Sequence, residues 1–296
     1  MITWICPYCS TENNSNEDIC PCCGFKDRKK YTTKALKKCD INLLKNKKDI
    51  FRQTYEVNIA NSYTSILTNT FNFDKSITKI NIPESITDID VDAFYKCDNL
   101  YSIVVHKNNI EYSSIDGVLF NKDKTKLIKY PANKGDILYR IPNTVKTIGA
   151  FAFYGCKNLI KVTFPKSVTQ IEFMAFARCQ KLHDIIIPEN VIDIQENTFD
   201  GCKSLEHIII PNGVKNIGFR AFADCKRLDM ICIPNSVINI EGNAFEDCNS
   251  LLIILIENPS CYISYLGNNL SKRLTIYGDK NSTAEKYAQE YGIKFE

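Results

Sequence analysis

The apolar positions of the chain obey a 23-residue step. Proline recurs at Pro142, Pro165, Pro188, Pro211 and Pro234, and phenylalanine at Phe153, Phe176, Phe199, Phe222 and Phe245. Cysteine keeps the step through Cys156, Cys179, Cys202, Cys225 and Cys248, and leucine through Leu159, Leu182, Leu205, Leu228 and Leu251. Pro83, Phe94, Cys97 and Leu100 form another copy, and Ile66, Phe71, Ile80 and Ile82 mark a weaker one that starts at Ala60. Segments such as LIKVTFP and LEHIIIP predict strands, with alternation turning Val162 and Phe164 inward and Lys161 and Thr163 outward. One unit cannot cover its own apolar side, so the pattern predicts stacked coils with a continuous core and a curved parallel sheet. Phe153 and Cys156 are expected on the convex side, filling space between coils.

The full consensus, P-x-x-V-x-x-I-x-x-x-A-F-x-x-C-x-x-L, resembles the BspA-type leucine-rich repeat family over residues 60 to 256. The predicted fold is therefore an α/β solenoid: a leucine-rich repeat arc with a parallel β-sheet on its concave face. The array is assigned to residues 55–256, with YEVNI (55–59) at the strand offset of a rudimentary first coil. An insertion at 106–141 lengthens one repeat by 13 residues, and SIDGVLFNKDKTKLIKYP within it reads as two short strands around a polar turn. Residues 257–296 are expected to cap the array. There Ser282 and Glu285 make an S-x-x-E capping box, and Ala284, Tyr287, Ala288 and Tyr291 share one helical face.

Ahead of the repeats, residues 1–25 carry different chemistry. Cys6 and Cys9 are two residues apart, then come ten residues, then Cys20 and Cys23 with the same gap. Two such thiolate pairs close a tetrahedron around Zn²⁺, and the stretch resembles a zinc ribbon. Four sulfur ligands leave no open position, so this zinc is structural and supplies folding energy on the order of 10 kcal/mol. Cys22, between two ligands, leaves the choice of thiol at the second knuckle open. The cysteines repeated along the array offer one thiol per coil and no clustered ligand set, so they read as small buried hydrophobes.

Charge separates a third segment. Residues 26–48 hold ten Lys/Arg against two Asp, a local +8 in a chain whose total is +3, so the remainder carries −5. Residues 26–54 are read as a basic linker, partly helical by the weak stripe of Leu36, Leu43, Leu44 and Phe51. No apolar run approaches the roughly 18 to 20 residues of a membrane span, and MITWICPYCS lacks the features of a secretory signal. Fourteen cysteines without such a signal suit a reducing cytoplasm.

The outward strand positions form two columns: Lys79, Ser102, Lys161, Asp184, His207, Met230, Ile253, and Asn81, Val104, Thr163, Ile186, Ile209, Cys232, Leu255. Apolar residues collect toward the C-terminus, so Thr163, Ile186, His207, Ile209, Met230, Cys232, Ile253 and Leu255 are the candidate partner-binding residues. High β-propensity, or cover by residues 257–281, accounts for the same residues without a partner. Catalysis has little support. No P-loop, G-x-S-x-G or dinucleotide fingerprint occurs, and His183 and His207, on adjacent coils, lack a third ligand of obvious geometry. The expected protein is thus a monomeric, non-catalytic protein-protein scaffold. Family resemblance implies the alternative of a cell-surface adhesin binding host or matrix proteins. A third reading is nucleic-acid binding through the ribbon and basic segment.

Overall fold

The computed structural model describes residues 35–38, 40 and 54–296, together with the backbone of strands Thr3–Ile5, Glu12–Asn14 and Lys45–Asp49. It divides into two compact units, Met1–Lys122 and Asp123–Glu296.

In the second unit, each coil begins where a proline ends a strand, because proline has no N–H for the ladder. The chain then turns: Val145, Val168, Val191, Val214 and Val237 donate their N–H to the carbonyls of Pro142, Pro165, Pro188, Pro211 and Pro234 at 3.0–3.2 Å. A two-residue strand follows, and these pair in parallel from coil to coil. Thr147–Ile148 lies beside Gln170–Ile171, and Asp193–Ile194, Asn216–Ile217, Asn239–Ile240 and Tyr262–Ile263 continue the pattern. The longer strands form the other side of the coil. Leu138–Arg140, Lys161–Thr163, Asp184–Ile186 and His207–Ile209 make one parallel sheet. Met230–Ile233, Ile253–Ile256, Thr275–Gly278 and Lys294–Phe295 make the next.

The first unit repeats this plan. Thr54–Asn58, Ile77–Ile82 and Ser102–Val105 pair in parallel, and Ala35–Leu36, Ser65–Ile66 and Asp88–Ile89 form its short-strand ladder. Lys45–Asp49 pairs antiparallel with Thr54–Asn58 and lies at the sheet's edge. Repeat architecture therefore begins inside the segment read as a basic linker: Leu36 is fully buried and Ala35 pairs with Ser65. No proline, phenylalanine or cysteine stands at the repeat offsets of that coil in the sequence.

The α/β expectation is corrected. Between the short strands and the leucines, the described residues form turns and no helical layer, because the backbone N–H groups are spent on the next coil. Those of Phe153, Phe176, Phe199 and Phe222 donate to the carbonyls of Ala175, Thr198, Ala221 and Ala244 at 2.7–2.9 Å, so they are not available for i−4 bonds. In each coil from Phe153 to Phe245 two residues are left-handed, the second before and the second after the phenylalanine; around Phe176 these are Met174 (φ 52) and Arg178 (φ 60).

The core is a spine of stacked rings. Phe153, Phe176, Phe199, Phe222 and Phe245 are fully buried, with successive centroids 4.7 to 5.7 Å apart and planes within 17°. Tyr130 begins the same spine at 5.1 Å from Phe153, and Phe71 stacks on Phe94 at 5.5 Å in the first unit. Each fully buried ring contributes roughly 1.5–3 kcal/mol.

The insertion forms a hairpin, Tyr112–Ile115 against Val118–Asn121, around left-handed Asp116 (φ 49) and Gly117 (φ 80). A Cβ on Gly117 would lie 2.7 Å from Ser102 Oγ, so only glycine lets the turn lie against that strand. A further strand, Lys126–Lys129, follows, one more than the sequence suggested.

At the C-terminus, helix α1, Thr283–Tyr291, buries Ala284, Tyr287 and Ala288, while Tyr291 stays exposed. Ser282 Oγ accepts from the N–H of Glu285, and the Glu285 carboxylate accepts from Asn281, one residue earlier than a capping box requires. Left-handed Gly292 ends the helix, and Lys294–Phe295 then adds a parallel strand beside Thr275–Gly278.

Candidate interaction surface

The two outward columns are built by parallel register. Asp184 stands beside His207 and Ile186 beside Ile209; Met230 stands beside Ile253 and Cys232 beside Leu255. The alternate residues of the same strands point to the core: Val162, Ile185, Ile231 and Ile254 are at most 4% exposed. Outward, Ile186 is 59%, Ile209 57% and Met230 56% exposed, and Thr163, His207 and Cys232 are exposed as well. Ile253 and Leu255 are half-buried. Residues 257–281 do not cover the columns; they form the next coil, with Tyr262–Ile263 in the short-strand ladder and Thr275–Gly278 in the sheet.

Reading the columns across the insertion adds two positions that the sequence reading missed. Leu138, 65% exposed, pairs with Lys161, and Arg140 pairs with Thr163. Counting back 23 residues from Lys161 and Thr163 would have found both. Ladder pairing between Lys161–Thr163 and Asp184–Ile186 is confined to Lys161 and Asp184. Beyond that point lies a pocket of about 270 Å³ lined by Thr163, Phe164, Pro165, Ile186, Pro188 and Glu189 among others. Phe164, half-buried, forms part of its wall and meets the edge of Phe176 at 5.6 Å.

Electrostatics on this face centre on the histidines. Asp184 lies within hydrogen-bond distance of both His183 and His207, and these contacts hold its carboxyl below the usual carboxylate value. The third group that the sequence did not reveal is therefore the aspartate next to His183.

The repeated cysteines play a role beyond filling space. The thiols of Cys97, Cys179, Cys202, Cys225 and Cys248 donate to the carbonyls of Phe71, Phe153, Phe176, Phe199 and Phe222 at 2.9–3.4 Å, one coil and three residues back. Burial pushes the thiols of Cys156, Cys202 and Cys225 up, and that of Cys248 to about 12. Thiols that stay protonated keep these weak S–H donors and bind metal poorly, which agrees with a structural role. Cys6, Cys9, Cys20, Cys22 and Cys23 lie outside the described residues. The described elements nearest to them in sequence are the backbones of Thr3–Ile5 and Glu12–Asn14, which pair antiparallel.

Stacked parallel strands on a fixed 23-residue step, closed by turns around an aromatic spine, define a leucine-rich repeat type of β-solenoid. The chain belongs to the BspA-type leucine-rich repeat family, whose model, described as a "BspA type Leucine rich repeat region (6 copies)", matches residues 42–139 and 137–252. No curated protein matches the chain. Among solved structures it is similar to a leucine-rich repeat protein from Eubacterium ventriosum, with 29% identity and a TM-score of 0.63 over 73% of this chain and 61% of that one. It is also similar to a leucine rich cell surface protein from Faecalibacterium prausnitzii, with 27% identity and a TM-score of 0.54 over 77% of this chain and 54% of that one. The pneumococcal vaccine antigen PcpA, at 22% identity and a TM-score of 0.65 over 81% and 67% of the two chains, shares the fold. The chain thus spans about three fifths of the E. ventriosum protein and about half of the F. prausnitzii one. Repeat proteins of this family are generally non-catalytic scaffolds. No described helix is long and apolar enough to cross a membrane.

Proposed function

We propose that the outward sheet face of the second unit binds another protein, and that the chain works as a non-catalytic interaction scaffold. The observation that carries this reading is Ile186 paired with Ile209 on neighbouring strands of one sheet, followed by Met230 on the first strand of the next sheet, each more than half exposed. Water-facing strands ordinarily carry polar residues there, and a contiguous apolar patch marks a contact surface. The pocket beside Ile186 offers a place for one apolar side chain of the partner. The test is Ile209→Lys in the full chain. Its circular dichroism and unfolding midpoint should match the parent while capture of the cross-linked partner disappears; undiminished capture would overturn the reading.

A structural zinc ribbon on Cys6, Cys9, Cys20 and Cys23 is the second interaction module in this proposal. Zinc analysis of the purified chain should give a tightly held ion that the Cys6→Ser, Cys20→Ser double variant loses. Thiols throughout the array favour the cytoplasm, since an oxidising compartment would threaten them. The adhesin alternative draws support from similarity to the leucine rich cell surface protein of Faecalibacterium prausnitzii. Protease shaving of intact source cells separates the two: cleavage of the chain supports the surface reading, and protection the cytoplasmic one. Nucleic-acid binding through residues 26–48 would show as affinity falling steeply with salt.

A further inference from the structure

His207 opens strand His207–Ile209, and its register partner Asp184 opens the strand before it, directly after His183. The 23-residue step thereby brings three ligand-type side chains together. Asp184 Oδ1 lies 3.1 Å from His183 Nδ1 and 3.2 Å from His207 Nδ1. One ligand atom from each of the three residues falls within 4.8 Å of the others. Around a metal with bonds of about 2.0–2.1 Å, neighbouring ligand atoms are about 2.8 to 3.4 Å apart across octahedral and tetrahedral geometries, a range that takes in both contacts to Asp184.

The back of His183 supplies a second, independent observation. Its Nε2 meets Glu206 Oε2 at 2.8 Å, and Glu206 is held in turn by the Arg227 guanidinium. A neutral imidazole carries only one N–H. Flanked by Glu206 on one ring nitrogen and Asp184 on the other, a neutral His183 can donate to only one carboxylate, and the nitrogen left over faces the other lone pair to lone pair unless a cation lies between them. A carboxylate behind a histidine, fixing its tautomer and leaving the other nitrogen open, is the arrangement that supports metal-bound imidazole.

We propose that His183 Nδ1, His207 Nδ1 and Asp184 Oδ1 bind a divalent transition cation such as Zn²⁺, with Glu206 orienting His183 and Arg227 holding Glu206. Imidazole and carboxylate together suit zinc, nickel or copper better than calcium or magnesium. The side chain of His207 is 70% exposed, so water completes the coordination. This site is separate from the cysteine set at the N-terminus and does not depend on the protein-binding reading.

Zinc titration of the full chain, followed through imidazole NMR signals, tests the proposal. The chain has three histidines, so the signals of His183 and His207 can be read against His106, and zinc taken up by cysteines leaves the readout clear. Zinc should shift the His183 and His207 signals together and spare His106. Glu206→Gln should weaken this response about 10- to 100-fold, and Asp184→Asn should abolish the coupled shift in a chain that unfolds at the parent's midpoint. The proposal is overturned if the two signals answer to pH but not to millimolar zinc, a proton then serving in place of the metal. Equal affinity in Asp184→Asn overturns it too, since zinc would then be sitting on exposed imidazoles alone.

Discussion

In the first unit the outward strand positions hold Glu56, Lys79 and Ser102 in one column and Asn58, Asn81 and Val104 in the other, and Asn81 Nδ2 donates to Asn58 Oδ1 across neighbouring coils. In the second unit the matching columns run to Ile186, Ile209 and Met230. Behind both faces the inward residues are the same kind: Ile80 and Ile103 in one unit, Ile185 and Ile231 in the other, all at most 1% exposed. A parallel strand keeps its fold in one set of alternate residues and its surface in the other. The outward set is thus free to be polar in one place and apolar in another, and the fold places no demand for isoleucine at 186 or 209.

The widest test of that division removes the shared spine. Phe199→Ala in the second unit and Phe94→Ala in the first should each cost about 3–5 kcal/mol in equilibrium unfolding. A much smaller loss in one unit would show that the two cores are not equivalent. Cys225→Ala and Cys97→Ala come next. Each takes the donor from a buried carbonyl and leaves a small void, for about 2 kcal/mol in either unit. Alkali acts on the same thiols. Burial raises Cys248 from the ordinary thiol value of 9.0 to about 12, so its stabilising effect is complete below pH 9 and is lost as pH climbs toward 12. Between pH 9 and 10 this one group should remove about 1 kcal/mol, read as a falling urea midpoint. Met174→Gly should gain about 1 kcal/mol, because Met174 is left-handed without the freedom of glycine. Smallest of all, Ile209→Lys and Asn81→Ile should each leave stability within about 0.5 kcal/mol, since they exchange only the outward sets. A larger loss for Ile209→Lys would mean that the apolar column serves the fold after all.

Much of this was legible in the sequence, and the exceptions share a cause. The spine and the outward columns were readable because a single residue type returns at a fixed step. The short-strand ladder was not, since a strand of two residues such as Thr147–Ile148 carries no period. Helices were expected beside the sheet from the repeat class, whereas the turns there are dictated by donors aimed at the next coil, a long-range choice invisible in local pattern. The coil at Ala35–Leu36 has none of the marker residues at the repeat offsets. Cysteine was read by size alone; its S–H bond spans 26 residues, and nothing within one repeat points to the phenylalanine carbonyl it serves. Asp184 escaped notice beside His183 because the trio forms only when His207 arrives from the following coil.

Each sealed thiol also makes its own coil readable from outside. A reagent that alkylates sulfur reaches Cys179, Cys202 or Cys225 only when that coil opens, so the rate of labelling at each site reports the opening of one rung rather than of the whole. Mass spectrometry of the modified peptides would then give a fraying map along the array, with the thiols nearest an unprotected end reacting first.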